Sequence, residues 1–126
     1  MATLISPVAD AVAEEKARLQ GAWEFLSGQR AGQMLFAGDH FLVRFRDGDT
    51  YVGTYRLDPT GWPKTIDMVI EEGPAHHRGK TSLGLYKLEA DTLRLCPGDP
   101  GKERARNFPT EADGRCLDLF FRREKT

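Results

Sequence analysis

Leu19-Gln20-Gly21-Ala22-Trp23-Glu24-Phe25 is the stretch at which the chain changes character. Before it, residues 1 to about 19 form the helical candidate, rich from Ala11 onward in helix-forming Ala, Glu, Lys, Arg and Leu, and Pro7 suits the first turn of a helix. Gly21 suits the end of that helix, and from Trp23 onward the apolar period drops from 3.6 to 2. A strand over residues 22–27 then sets Trp23 and Phe25 on one face, with Glu24 and Leu26 on the other. The chain therefore divides into a helical leader, 1–18, and a β domain, 19–126.

Outward from this point the same alternation repeats between turns. Residues 33–37 read as a short strand, and in 40–46 Phe41, Val43 and Phe45 share a face opposite Leu42, Arg44 and Arg46. Asp47-Gly48-Asp49 is a hairpin turn that accommodates positive φ. In the next strand Tyr51, Gly53, Tyr55 and Leu57 face inward, and Thr50, Val52, Thr54 and Arg56 outward. Pro63 opens a further strand through Ile70, and two more, 81–88 and 92–96, flank Glu89-Ala90-Asp91. Residues 97–106 form the longest loop, 107–109 suggest a brief strand, and 115–122 the last one. Eight or nine strands joined by short turns leave no room for crossover helices, so the sheet is antiparallel and up-and-down. Closure into a small barrel removes the exposed edges, and the interior of such a barrel is filled by side chains or holds one small ligand.

Composition sets outer bounds. The 126 residues fit one domain, with 40% hydrophobic and 29% charged residues. A net charge of -1 gives no electrostatic case for nucleic acid or an anionic membrane. No secretory signal or membrane-spanning run is legible, so the expected location is the cytoplasm, with Cys96 and Cys116 as thiols rather than a disulfide.

Two resemblances follow from particular residues. The Gly21-x-Trp23 opening and the Arg122-Arg123 close resemble the lipocalin and fatty-acid-binding (calycin) barrels. That likeness implies that Trp23 packs beneath Arg122 or Arg123 and shuts the barrel floor. A longer series runs from Leu19-Gln20-Gly21-x-Trp23 through Tyr51-x-Gly53-Thr54-Tyr55-x-Leu57-Asp58-Pro59 and Pro63-Lys64-Thr65-Ile66-Asp67. It continues in Gly79-Lys80-Thr81-x-Leu83-Gly84-x-Tyr86-x-Leu88 and Asp91-Thr92-Leu93-Arg94-Leu95-Cys96. The series is similar to an uncharacterised bacterial domain expanded in planctomycetes and predicted to be lipocalin-like. It implies a calycin-type barrel and no particular activity.

Candidate site residues come from strand parity. Tyr51, Tyr55 and Tyr86 share inward faces with Gly53, Gly84 or Leu57, and would line a cavity with amphipathic rings or pack as core. The two glycines suggest interior space or sharp coiling. Met68 and Phe45 would complete the lining. If Ile66, Met68 and Ile70 instead face outward under the helix, Asp67 points inside and needs a cationic partner, for which Arg94 is the candidate; otherwise Asp67 is exposed. His76-His77 beside Glu71 and Glu72 lack a third ligand at usable spacing, so no metal and no cofactor are expected, and that segment reads as a solvated loop. Lys102, Arg104 and Arg106 likewise read as solvated surface. Three readings stay open: a barrel that binds a small hydrophobic or amphipathic ligand, a barrel enzyme acting on a hydrophobic metabolite, and a packed barrel serving as a protein-interaction module.

Overall fold

The computed structural model describes residues 7–109 and 116–124. Helix α1 spans Pro7–Leu19, with Asp10 in its first turn and Lys16 and Arg18 in its last, the arrangement that complements the helix dipole. Gly21, at a φ of 110°, redirects the chain from the helix into the first strand, a conformation that a residue with a side chain adopts at a cost.

Eight strands follow: β1 Gly21–Gly28, β2 Gly32–Ala37, β3 His40–Phe45, β4 Thr50–Asp58, β5 Lys64–Glu72, β6 Thr81–Glu89, β7 Thr92–Cys96 and β8 Leu119–Arg123. Each pairs antiparallel with the next, and β8 returns to β1, so the sheet is a closed barrel. The alternation predicted for β2, β3 and β4 is present as more and less buried residues in turn. The expected brief strand at residues 107–109 does not form; Phe108 lies instead beneath the Arg94 guanidinium, 4.5 Å from its ring centroid. The last strand starts at Leu119 rather than at residue 115, which lies outside the described residues.

Because the strands run up and down, the two barrel ends differ. The turns at residues 38–39, 59–63 and 90–91 surround α1 at one end. The turns at 29–31 and 46–49 and the loops at 73–80 and 97–100 gather at the other. The α1 end is packed solid by Leu19, Trp23, Phe36, Tyr55, Ile66, Tyr86 and Leu93. On the barrel's outside, the loop after β7 covers a second small apolar cluster of Leu85, Cys96 and Ala105, against which Phe108 and Cys116 pack.

Strand β5 decides between the two placements of Asp67. Ile66, Met68 and Ile70 are buried in the barrel core, so Asp67 points outward. The glycines resolve a second alternative. A methyl added at Gly53 would fall within the van der Waals envelope of the Val69 carbonyl oxygen and 3.0 Å from Phe41 Cε1, and one at Gly84 would sit 2.8 Å from the Cys96 carbonyl oxygen. Both glycines answer to close backbone approach in a sharply coiled sheet, not to interior space.

Candidate functional site

Beyond the solid floor the interior is hollow. A cavity of about 480 Å³ opens between the loops at the end opposite α1. That volume falls in the range of small-molecule pockets. Its depth is apolar, walled by Met34, Phe41, Val43, Ile70, Leu95 and Phe121 among others, drawn from five strands. The cause is parity: every one of these residues occupies an inward position on its strand, and none carries a hydrogen-bonding group.

Polar groups gather toward the mouth. Arg30, in the turn after β1, lays its guanidinium 3.8 Å over the Phe45 ring. It donates from Nε and Nη2 to both Asp47 carboxylate oxygens, at 2.7 and 3.2 Å, and from Nη2 to Asp49 at 2.6 Å. The hydrogen bonds to Asp47 are the main reason the guanidinium holds its proton more tightly than usual. Tyr51 packs edge-on against Phe45, and its hydroxyl oxygen lies 2.8 Å from His77 Nδ1. Burial, and then the neighbouring His76, lower the His77 pKa and keep the imidazole neutral. Where the phenol donates to Nδ1 of neutral His77, the imidazole hydrogen sits on Nε2. At the same end, Ser82 Oγ donates to the Gly98 carbonyl at 2.7 Å.

The predicted site residues separate on this geometry. Tyr51, Met68 and Phe45 line the cavity. Tyr55 and Tyr86 face inward too, but at the floor. The Tyr55 hydroxyl donates to the Gly38 carbonyl at 2.7 Å and accepts from Gln20 Nε2 at 2.9 Å. The Tyr86 hydroxyl donates to buried Glu15 at 3.2 Å, and Lys64 donates to the same carboxylate oxygen at 2.6 Å. These two tyrosines tie α1 to the barrel and do not reach the cavity.

Asp67 and Arg94 do not meet. Asp67 pairs with Arg104, which also donates to the Gly84 carbonyl at 2.8 Å, so the long loop is pinned to the outside of β5 and β6. Arg104 is therefore not a solvated surface residue. Arg94 makes a two-bonded pair with Asp118, both at 2.8 Å, and donates to the Pro109 carbonyl at 3.1 Å. Both pairs lie outside the barrel, because the inward positions are the even ones in β5 and the odd ones in β7. Asp67 therefore does not face the interior.

At the floor, Arg123 is the clasp residue, 4.4 Å from the Trp23 ring. Arg122 points outward and pairs with exposed Glu24. Alternation in the last strand carries the signal that distinguishes them: Leu119 and Phe121 are buried, and Arg123 continues their face.

Sequence reasoning missed Arg30 and His77 as mouth residues. His77 is not part of a solvated loop but half-buried against Tyr51, whereas His76 is exposed. Neither was legible, because each lies in a polar turn whose contacts come from a different turn at the same barrel end. Cys96 and Cys116 are thiols and form no disulfide. Burial, and then Asp118, push the Cys96 thiol pKa up, so it remains a protonated, weak nucleophile. Among the described residues no group of three His, Cys, Asp or Glu side chains is placed to hold a metal ion, and no helix is long and apolar enough to cross a membrane.

The chain matches no protein-family model, no curated protein and no solved structure, so the site's own geometry carries the functional reading.

Proposed function

We propose that the protein binds one small apolar or amphipathic molecule inside the barrel. The observation that carries this reading is the cavity of about 480 Å³, apolar in its depth and open at one end. An apolar ligand seated there gains about 25 cal/mol for each Å² removed from water, and the closed barrel is already organised to receive it. Membership of the calycin-type barrels belongs to the same proposal and is supported by the Trp23–Arg123 contact between the first and last strands. So does a cytoplasmic location, supported by the buried Cys96 being a thiol rather than half of a disulfide.

The test uses a neutral environment-sensitive dye and native mass spectrometry of protein purified from its own host. Wild type should take up dye at a single site, and a co-purified mass should leave the protein on denaturation. Val43→Trp fills the cavity from its wall and should abolish uptake while the fold, read by circular dichroism, persists. Dye uptake unchanged in Val43→Trp and in a second filling variant, Ile70→Trp, would refute binding in the barrel.

A further inference from the structure

The mouth carries enough chemistry to say which head group the pocket accepts, an inference that rests on the ligand-binding reading above. Among the described residues of the cavity wall, Arg30 is the one cation and Asp99 the one carboxylate. Arg30 already has its Nε and Nη2 donors bonded to carboxylates. Asp47 and Asp49 both hold it, and the Phe45 ring covers one face of its guanidinium. Two carboxylates around one guanidinium leave that cluster net negative, and Asp99 adds to it. A ligand carboxylate at the mouth would have to displace one of these partners or sit among like charges.

The other polar side chains of the cavity wall are uncharged, among them Gln29, whose Oε1 accepts the Asp118 N–H at 2.7 Å, and the Tyr51–His77 pair. Tyr51 and His77 form a neutral hydrogen-bonded pair through Nδ1, and His77 lines the cavity; in the tautomer in which Nδ1 accepts the phenol hydrogen, Nε2 carries a hydrogen with which to donate. A hydroxyl, carbonyl or ester oxygen matches that donor without bringing charge into the rim. Ser82 is already bonded to the Gly98 carbonyl and is not a second reader.

We propose that the pocket selects an uncharged ligand, an apolar chain or ring system bearing one oxygen that His77 reads at the mouth, and discriminates against the corresponding carboxylate. Arg30 with Asp47 and Asp49 is then a specificity device: a cation neutralised in advance, so that acids find no counter-ion.

Displacement of the neutral dye by decanol and by decanoate tests this, because the two share a chain and differ in the head. At about pH 8 decanoate is ionised and His77 neutral. Decanol should bind wild type at least about tenfold more tightly, in line with one charge-assisted contact denied to the acid. Any greasy pocket favours the alcohol to some degree, so the change of ratio on substitution is the deciding quantity. Asp47→Asn combined with Asp49→Asn frees the guanidinium, and the amide oxygen introduced at position 47 can still accept the backbone N–H of residue 49, as the Asp47 carboxylate does. That variant should bind decanoate about five- to tenfold better, with decanol little changed; Asp49→Asn alone should move the same way by less. His77→Leu should weaken decanol about fivefold and leave decanoate where it was. Decanoate binding wild type as tightly as decanol, or a ratio unmoved by both Asp variants, would overturn the head-group inference while leaving ligand binding intact. Failure of wild type to take up dye, decanol or decanoate would instead remove the binding reading, and this inference with it.

Discussion

Arg123→Met separates the clasp from its neighbour. Trp23 and Arg123 do more than stack, since together they serve the carboxyl end of α1. Trp23 Nε1 donates to the Leu19 carbonyl at 2.9 Å, Arg123 Nη1 donates to the Gln20 carbonyl at 2.8 Å, and Nη2 donates to the Arg18 carbonyl. Three successive carbonyls at the helix end are thus met by one residue from the first strand and one from the last. Methionine keeps the aliphatic stem over the indole and removes every donor. Each charge-assisted bond is worth about 1.5 kcal/mol and the cation–π contact about 1 kcal/mol. The Arg123 side chain is one-third exposed, so solvent screening reduces the total, and the expected loss is about 2–3 kcal/mol. Arg122→Met is the control, because its pair with Glu24 is exposed on both sides and should cost about 0.5 kcal/mol or less. Both are measured by denaturant unfolding in a Trp62→Phe background. Trp62 is 87% exposed, so the remaining tryptophan emission reports Trp23 in the core. Equal costs for the two substitutions, or a larger one for Arg122→Met, would refute the clasp as argued.

Two further outcomes follow from the same geometry. Gly53→Ala forces β4 away from the Val69 carbonyl on β5 and should cost about 3 kcal/mol, whereas Gly38→Ala, with open space around its Cβ but a positive φ, should cost about 1 kcal/mol in the same thermal unfolding experiment. A Gly53→Ala melt close to wild type would mean that the β4–β5 approach at the register shift between Val52 and Gly53 is not tight. The hydrogen bonds from Arg94 hold the Asp118 carboxyl below its ordinary pKa. A carboxyl whose folded pKa is depressed stabilises the fold above its unfolded value of about 3.9, and that contribution disappears as pH falls through the folded pKa. Arg94→Met should therefore lose about 1–3 kcal/mol near neutral pH, with its gap to wild type shrinking between about pH 5 and 2 in denaturation midpoints. A gap of constant size down to acid pH would count against the pair.

The cavity and the floor divide the tyrosines in a way that strand parity could not foresee. Parity places Tyr51, Tyr55 and Tyr86 inside, and all three are inside. It is blind to height along the barrel axis. Tyr55 and Tyr86 sit at the end that α1 plugs, where Gln20 and Glu15 meet their hydroxyls, and Tyr51 sits at the end that the helix leaves open. The partners of Asp67 and Arg94 escaped the sequence for a related reason. Both side chains point outward, but Arg104 and Asp118 belong to the long connection between β7 and β8, whose path follows the apolar patch it covers at Leu85 and Cys96.

What the residues determine by themselves is local and periodic. The change from a helical to a twofold period at Gly21-Ala22-Trp23, the turns at Asp47-Gly48-Asp49 and Glu89-Ala90-Asp91, and short connections throughout are sufficient for an antiparallel, up-and-down barrel. A twofold period assigns each side chain a face, and short turns compel neighbours to pair. Only the tertiary structure decides what happens where distant turns converge: that Arg30 is neutralised by Asp47 and Asp49, that His77 folds back onto Tyr51, and that the interior is solid at one end and hollow at the other. Those outcomes depend on the coiling of the whole sheet and on the helix occupying one end, properties that no single strand carries.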